Sequence, residues 1–153
     1  MATNSNRLYV PALGPLYARL DALMLPMLRI MLGVVLIPHG CQKAFGWFGG
    51  AGFARFTQIF ESIGYKPGVV WLSLVILVEL VGGVCLVLGL FTRVAAFGVV
   101  LFMLNAVWFT SAKGFFWTAQ GSEYSLLILA VALVFTVRGG GDYALDNKMG
   151  KEF

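Results

Sequence analysis

Residues 32–47 read LGVVLIPHGCQKAFGW, an apolar run into which Pro38, His39 and Lys43 have been set. An ionisable side chain within a membrane-spanning helix is costly unless it faces a protein partner or a water-filled cavity, so function is sought here first. Followed toward the N-terminus, the apolar run begins at residue 23, and 23–47 suits a somewhat tilted crossing of a hydrocarbon core about 30 Å thick. Pro38 withholds a backbone donor and frees the Val34 carbonyl for another partner. On a helical wheel Arg29, Gly33, Leu36, His39, Gly40 and Lys43 share an arc of about 120°. One face of this helix is therefore polar and small.

The composition agrees with that reading. Of the 153 residues 59% are hydrophobic and 12% charged, and the mean hydropathy is +0.86, far from the make-up of a soluble domain. The expected fold is all-α: an integral membrane four-helix bundle with one or two short interfacial amphipathic helices. The formal charge of +4 comes from scattered basic residues. With no basic stripe to contact phosphates, no nucleic-acid partner is expected. Cys41 and Cys85 fall near opposite ends of their helices, too far apart for a disulfide.

Along the chain, residues 1–22 read as an N-terminal tail and interfacial helix, 23–138 as the four-span domain and 139–153 as a C-terminal tail. The first dozen residues lack an apolar core followed by a cleavage site, so no cleaved signal peptide is expected. Residues 14–22 are amphipathic and suggest a short helix lying in the membrane interface. GGAG at 49–52 breaks the chain, and Phe53, Phe56, Ile59, Phe60 and Ile63 then recur at helical spacing opposite Arg55, Gln58 and Glu61. That pattern predicts a second interfacial helix, stopped by Gly64 and Pro67. The second span, 71–90, carries Glu79 in line with Gly82 and Gly83, small residues that admit a close neighbour. The third, 94–111, places Asn105 on a face with Gly98, Leu101 and Trp108. The fourth, 122–137, is short for a crossing.

If four spans alternate, Trp47, Trp71, Trp108 and Trp117 all fall at one interface, where tryptophan is favoured. The termini share the other side with Arg7, Arg19, Arg93, Arg138, Lys148 and Lys151, against Lys43, Arg55, Lys66 and Lys113 on the tryptophan side. The positive-inside rule then puts both termini in the cytoplasm.

HGCQKAFGWFGG with the preceding RIMLG, then VELVGG, LGLFTR and GGGDYALD, resembles the DoxX family of small bacterial membrane proteins, over residues 29–146. The resemblance implies a four-helix bundle in the bacterial inner membrane and an association with quinone-linked redox chemistry, including thiosulfate oxidation to tetrathionate and terminal quinol oxidation. It matches the family at Arg29, Gly40, Lys43, Glu79, Gly82, Gly83, Arg93 and Asp146. The expected role is that of a quinone-associated redox subunit, with the lipid bilayer, a membrane or soluble redox protein and further copies of itself as candidate partners. Quinone enters as a substrate, and no covalently bound cofactor is expected. The other readings are a non-catalytic scaffold or accessory subunit, and a small-solute or lipid-binding transporter.

Depth along the helices puts His39, Lys43, Glu79, Asn105 and Glu123 in the tryptophan-side half of the bilayer. His39, Lys43 and Glu79 are the candidate catalytic residues: the cations to bind a quinone oxygen or small anion, the carboxylate to relay a proton or hold Lys43. Asn105, Trp108 and Glu123 are candidate ligand contacts, and Arg29, Gly40, Gly82, Gly83 and Arg93 structural ones. Against this, Glu79 pairing with Lys43 or Arg29 would simply lock two helices. His39 then becomes a packing residue, and Arg29 snorkels to the interface. A lone histidine, a Cys41 without a CxxC partner and scattered acids give no haem or metal pattern.

Overall fold

The computed structural model describes residues 8–150. Arg7, Lys151 and the start of the 1–22 tail lie outside the described residues. Helix α1 (Gly14–Phe45) is followed by the short α2 (Gly52–Ser62). Next come α3 (Gly68–Leu88), α4 (Thr92–Ser111), α5 (Glu123–Arg138) and a final turn of helix, α6 (Leu145–Met149). Among the described residues the fold is helix and turn, with no strand. Three helices, α1, α3 and α4, are long and apolar enough to cross a membrane. At 16 residues, α5 is about 24 Å long, as short as its sequence suggests.

One expectation is corrected. No separate interfacial helix occupies 14–22, because those residues are the first turns of α1, which runs unbroken for 32 residues. Amphipathicity reports a face and not a break, and the helix continues through Pro26 and Pro38 alike. Pro15 sits in the first turn, where its missing N–H costs nothing. At about 48 Å, α1 is longer than the hydrocarbon core, so its N-terminal end extends beyond the apolar layer. The interfacial helix expected after the GGAG break is present as α2, with Arg55, Gln58 and Glu61 exposed and Phe56 and Phe60 half-buried.

Helices α1 and α3 cross antiparallel at two glycine contacts. A Cβ added at Gly83 would lie 2.9 Å from Ile37 Cγ1, and one added at Gly40 would lie 2.7 Å from Leu80 Cγ. Gly82, which the sequence pattern pairs with Gly83, is buried as well, but a Cβ added there would meet no atom of a neighbouring helix within 4 Å. Residues Leu77–Gly82 form a π-helical turn within α3. Helices α4 and α5 are likewise antiparallel, with Arg93 Nη1 donating to the Val137 carbonyl at 3.0 Å. Leu36, Leu86, Val99, Met103, Ile128 and Phe135 join α1, α3, α4 and α5 in one core. Outward, Met31, Leu77, Val81, Leu104 and Leu127 stand more than half exposed, a surface suited to lipid. These directions bring Trp47, Trp71, Trp108 and Trp117 to one end of the bundle.

Candidate functional site

Gly40 decides where Glu79 can go. Without a side chain at that position, α3 approaches until the Glu79 Cβ would lie 3.1 Å from a Cβ at residue 40. The carboxylate then meets Lys43, less than one turn further along α1. Lys43 Nζ donates to Glu79 Oε1 at 2.7 Å and Oε2 at 2.9 Å. The carboxylate side chain is 3% exposed and the lysine 15%. A weaker contact runs from Nζ to the His39 carbonyl at 3.4 Å, and the Phe56 ring of α2 lies 5.8 Å away. The ammonium is thus surrounded by carboxylate, carbonyl and aromatic face, and the pair is closed by packed side chains. Glu79 sits on the π turn, a feature that often marks functional positions in helices.

The histidine does not join them. His39 is exposed, and its ring lies 6.4 Å from that of Tyr124 on α5. Trp108 is 79% exposed and Glu123 accepts from the Trp117 amide at 3.0 Å, steadying the loop before α5. Asn105 occupies a different place, on the far side of α3. Lys43 and Glu79 are therefore brought together, with His39 one turn away on α1 and its backbone carbonyl facing the Lys43 ammonium, while Asn105, Trp108 and Glu123 stand apart from them.

Around Asn105 the structure holds a lateral cleft of 430 Å³ between α3 and α4, with the end of α2 as its rim. Its walls are apolar and aromatic: Phe60, Trp71, Val78, Leu101, Phe102 and Phe109 contribute, and Gly98 keeps its floor open. From Gly98 to Phe109 it extends about 16 Å along α4. The Tyr65 hydroxyl donates to Asn105 Oδ1 at 2.9 Å, and Asn105 Nδ2 donates to the Leu101 carbonyl at 3.0 Å. One amide N–H and the tyrosine oxygen lone pairs remain for a ligand. Trp71 and Phe109 hold the Tyr65 ring, with centroids 5.4 and 5.7 Å away. Tyr65 escapes a sequence reading because it lies in a turn between Gly64 and Pro67, and its partner is 40 residues distant.

At the opposite end Arg29 is 1% exposed and does not snorkel. Its Nη1 donates to the Leu86 carbonyl at 2.7 Å and the Val87 carbonyl at 3.3 Å, satisfying the end of α3. Asp146 does the converse for α4, accepting from the Phe91 amide at 2.7 Å and the Thr92 amide at 2.8 Å. Glu61 accepts from the Gly68 amide at 3.2 Å and so docks α2 on the start of α3. These are structural roles, and only the first belongs to a residue singled out as structural in the sequence.

Comparison with known proteins adds the following. The family model for DoxX matches residues 24–112. An uncharacterized protein of Haemophilus influenzae is 35% identical over 84% of this chain and 92% of its own length. An uncharacterized membrane protein of Mycobacterium tuberculosis is 30% identical over 81% of this chain and 80% of its own. A Bacillus subtilis protein bearing the name "Putative oxidoreductase CatD" is 29% identical over 78% of this chain and 82% of its own. No solved structure matches the chain.

Proposed function

The chain belongs to the DoxX family of membrane proteins, and on that premise we propose that it is a quinone-associated redox subunit of the bacterial inner membrane. The observation that carries this reading is the lateral cleft. It opens sideways toward lipid, its walls suit an isoprenoid chain and a flat ring, and its polar side chains, Tyr65 and Asn105, stand together at one place. A quinone carbonyl accepts from Asn105 Nδ2, and a quinol hydroxyl donates to Tyr65. The name of the Bacillus relative points the same way. A partner redox protein exchanges electrons with the bound ring. In this arrangement the Lys43–Glu79 pair holds α1 against α3 rather than touching the ligand.

Quinone binding is measured by quenching of intrinsic tryptophan fluorescence, since Trp71 lines the cleft. Asn105→Leu and Tyr65→Phe should each weaken binding about fivefold, the worth of one hydrogen bond near 1 kcal/mol. Unchanged affinity in both, with a loss in a folded Lys43→Met/Glu79→Met variant, transfers the ligand to the ion pair. Unchanged affinity in all of them leaves the scaffold reading, which the closed packing of that pair favours.

The proposed orientation has both termini in the cytoplasm. With Cys41 and Cys85 replaced by alanine, a cysteine introduced at Asn147 should resist membrane-impermeant maleimide in intact cells, whereas one at Thr118 should react. Reversed labelling inverts the topology.

A further inference from the structure

At the end of the bundle remote from the tryptophans, α1, α5 and the segment before α6 enclose a second cleft of 420 Å³. Asp21, Ala22, Leu25, Pro26, Arg138 and Asp142 line it. Its charges are of both signs, and among the described residues none of the Asp21, Arg138 and Asp142 side chains has an ionic partner. Pro26 adds an independent feature. It lies inside α1 and has no N–H, so the Ala22 carbonyl on the cleft wall lacks the partner an uninterrupted helix would give it. Two carboxylates and a freed carbonyl around one hollow complement a primary ammonium, which carries three N–H donors. Arg138 offers beside them a planar fork matched to phosphate.

The cleft lies at membrane-surface depth. From Phe45 at the tryptophan end of α1 to Leu25 is about 30 Å along the helix axis, the thickness of the hydrocarbon core. Met27, Met31 and Val137, each more than half exposed, continue from it along α1 and α5 as an apolar flank. The cleft thus offers partners for an ammonium and for a phosphate, with exposed apolar side chains further along the two helices that line it.

We propose that this cleft binds the headgroup of a phospholipid carrying a primary amine, with the ammonium between Asp21, Asp142 and the Ala22 carbonyl and the phosphate on Arg138. An anionic headgroup without an amine brings its charge against two carboxylates, and a quaternary ammonium has no N–H to donate. The test is native mass spectrometry of the full chain with phosphatidylethanolamine, phosphatidylcholine and phosphatidylglycerol of identical acyl chains. The wild type should retain the ethanolamine lipid about tenfold over the other two, which corresponds to about 1.4 kcal/mol. Arg138→Gln and Asp142→Asn should each abolish that preference, and Arg55→Gln, an exposed change on α2, should keep it. Equal retention of the three lipids by the wild type, which depends on no variant, overturns the proposal. So does a preference that persists in the Arg138→Gln/Asp142→Asn double variant. Water-soluble glycerophosphoethanolamine that binds as tightly as the lipid also overturns it, by assigning the cleft to a soluble amine phosphate.

Discussion

Glu79→Gln lowers the stability of the detergent-solubilised protein by about 3 kcal/mol, the lower end of the cost of breaking a buried ion pair. The loss comes from Lys43, which keeps its charge beside Gly40 and Phe56 when the compensating carboxylate is gone. Two features hold the loss to the low end: the lysine is 15% exposed and the glutamine amide oxygen still accepts one hydrogen bond. Lys43→Met leaves the more deeply buried partner unpaired and should cost as much or more. Combining Glu79→Gln with Lys43→Met should cost less than the sum of the two single changes, with a coupling energy of about 1 to 3 kcal/mol. Equilibrium unfolding in mixed micelles reads all four proteins. Strict additivity would mean that the two groups act independently and would remove the helix lock.

That pair was legible because a single carboxylate within the second span needs a partner, and the first span offers few cations. The wheel also placed Gly40 and Lys43 correctly, since the buried stripe of α1 runs through Arg29, Gly33, Leu36 and Gly40 in steps of three and four. His39 lies about 100° from Gly40, and a wide arc drawn on the wheel takes it in although the neighbouring helix does not reach it. Depth along the bilayer is likewise a coordinate without an angle: Asn105 and Glu79 share a level but face opposite sides of α3. The lateral cleft was out of reach for a different reason. It depends on a turn residue, Tyr65, meeting α4 across 40 residues of sequence, a contact that has no periodic signature. The caps by Glu61 and Asp146 also join residues distant in sequence, so no local capping motif announces them.

Asp146→Ala should destabilise the protein by about 3 kcal/mol, more than an ordinary helix-cap deletion of about 1 kcal/mol. The difference follows from geometry. Asp146 is 5% exposed and each of its carboxylate oxygens takes one amide, from Phe91 and from Thr92, so the change removes both acceptors at the start of α4, where Thr92 is fully buried. The negative charge also stands at the positive end of the α4 dipole, while Arg29 stands at the negative end of α3, on either side of the same three-residue turn. Phe91 holds a left-handed backbone there, φ 48°, a conformation that a phenylalanine keeps only when its surroundings enforce it. Asp146→Asn retains one oxygen acceptor and should lose about half as much. Because the Asp146 amide itself donates to the Gly89 carbonyl at 2.9 Å, the weakened cap should also loosen the chain beyond α5. Limited trypsin digestion should then cut after Arg138 faster in Asp146→Ala than in the wild type, before the bundle unfolds. Equal cleavage rates together with unchanged unfolding would show that the C-terminal segment does not hold the turn between α3 and α4.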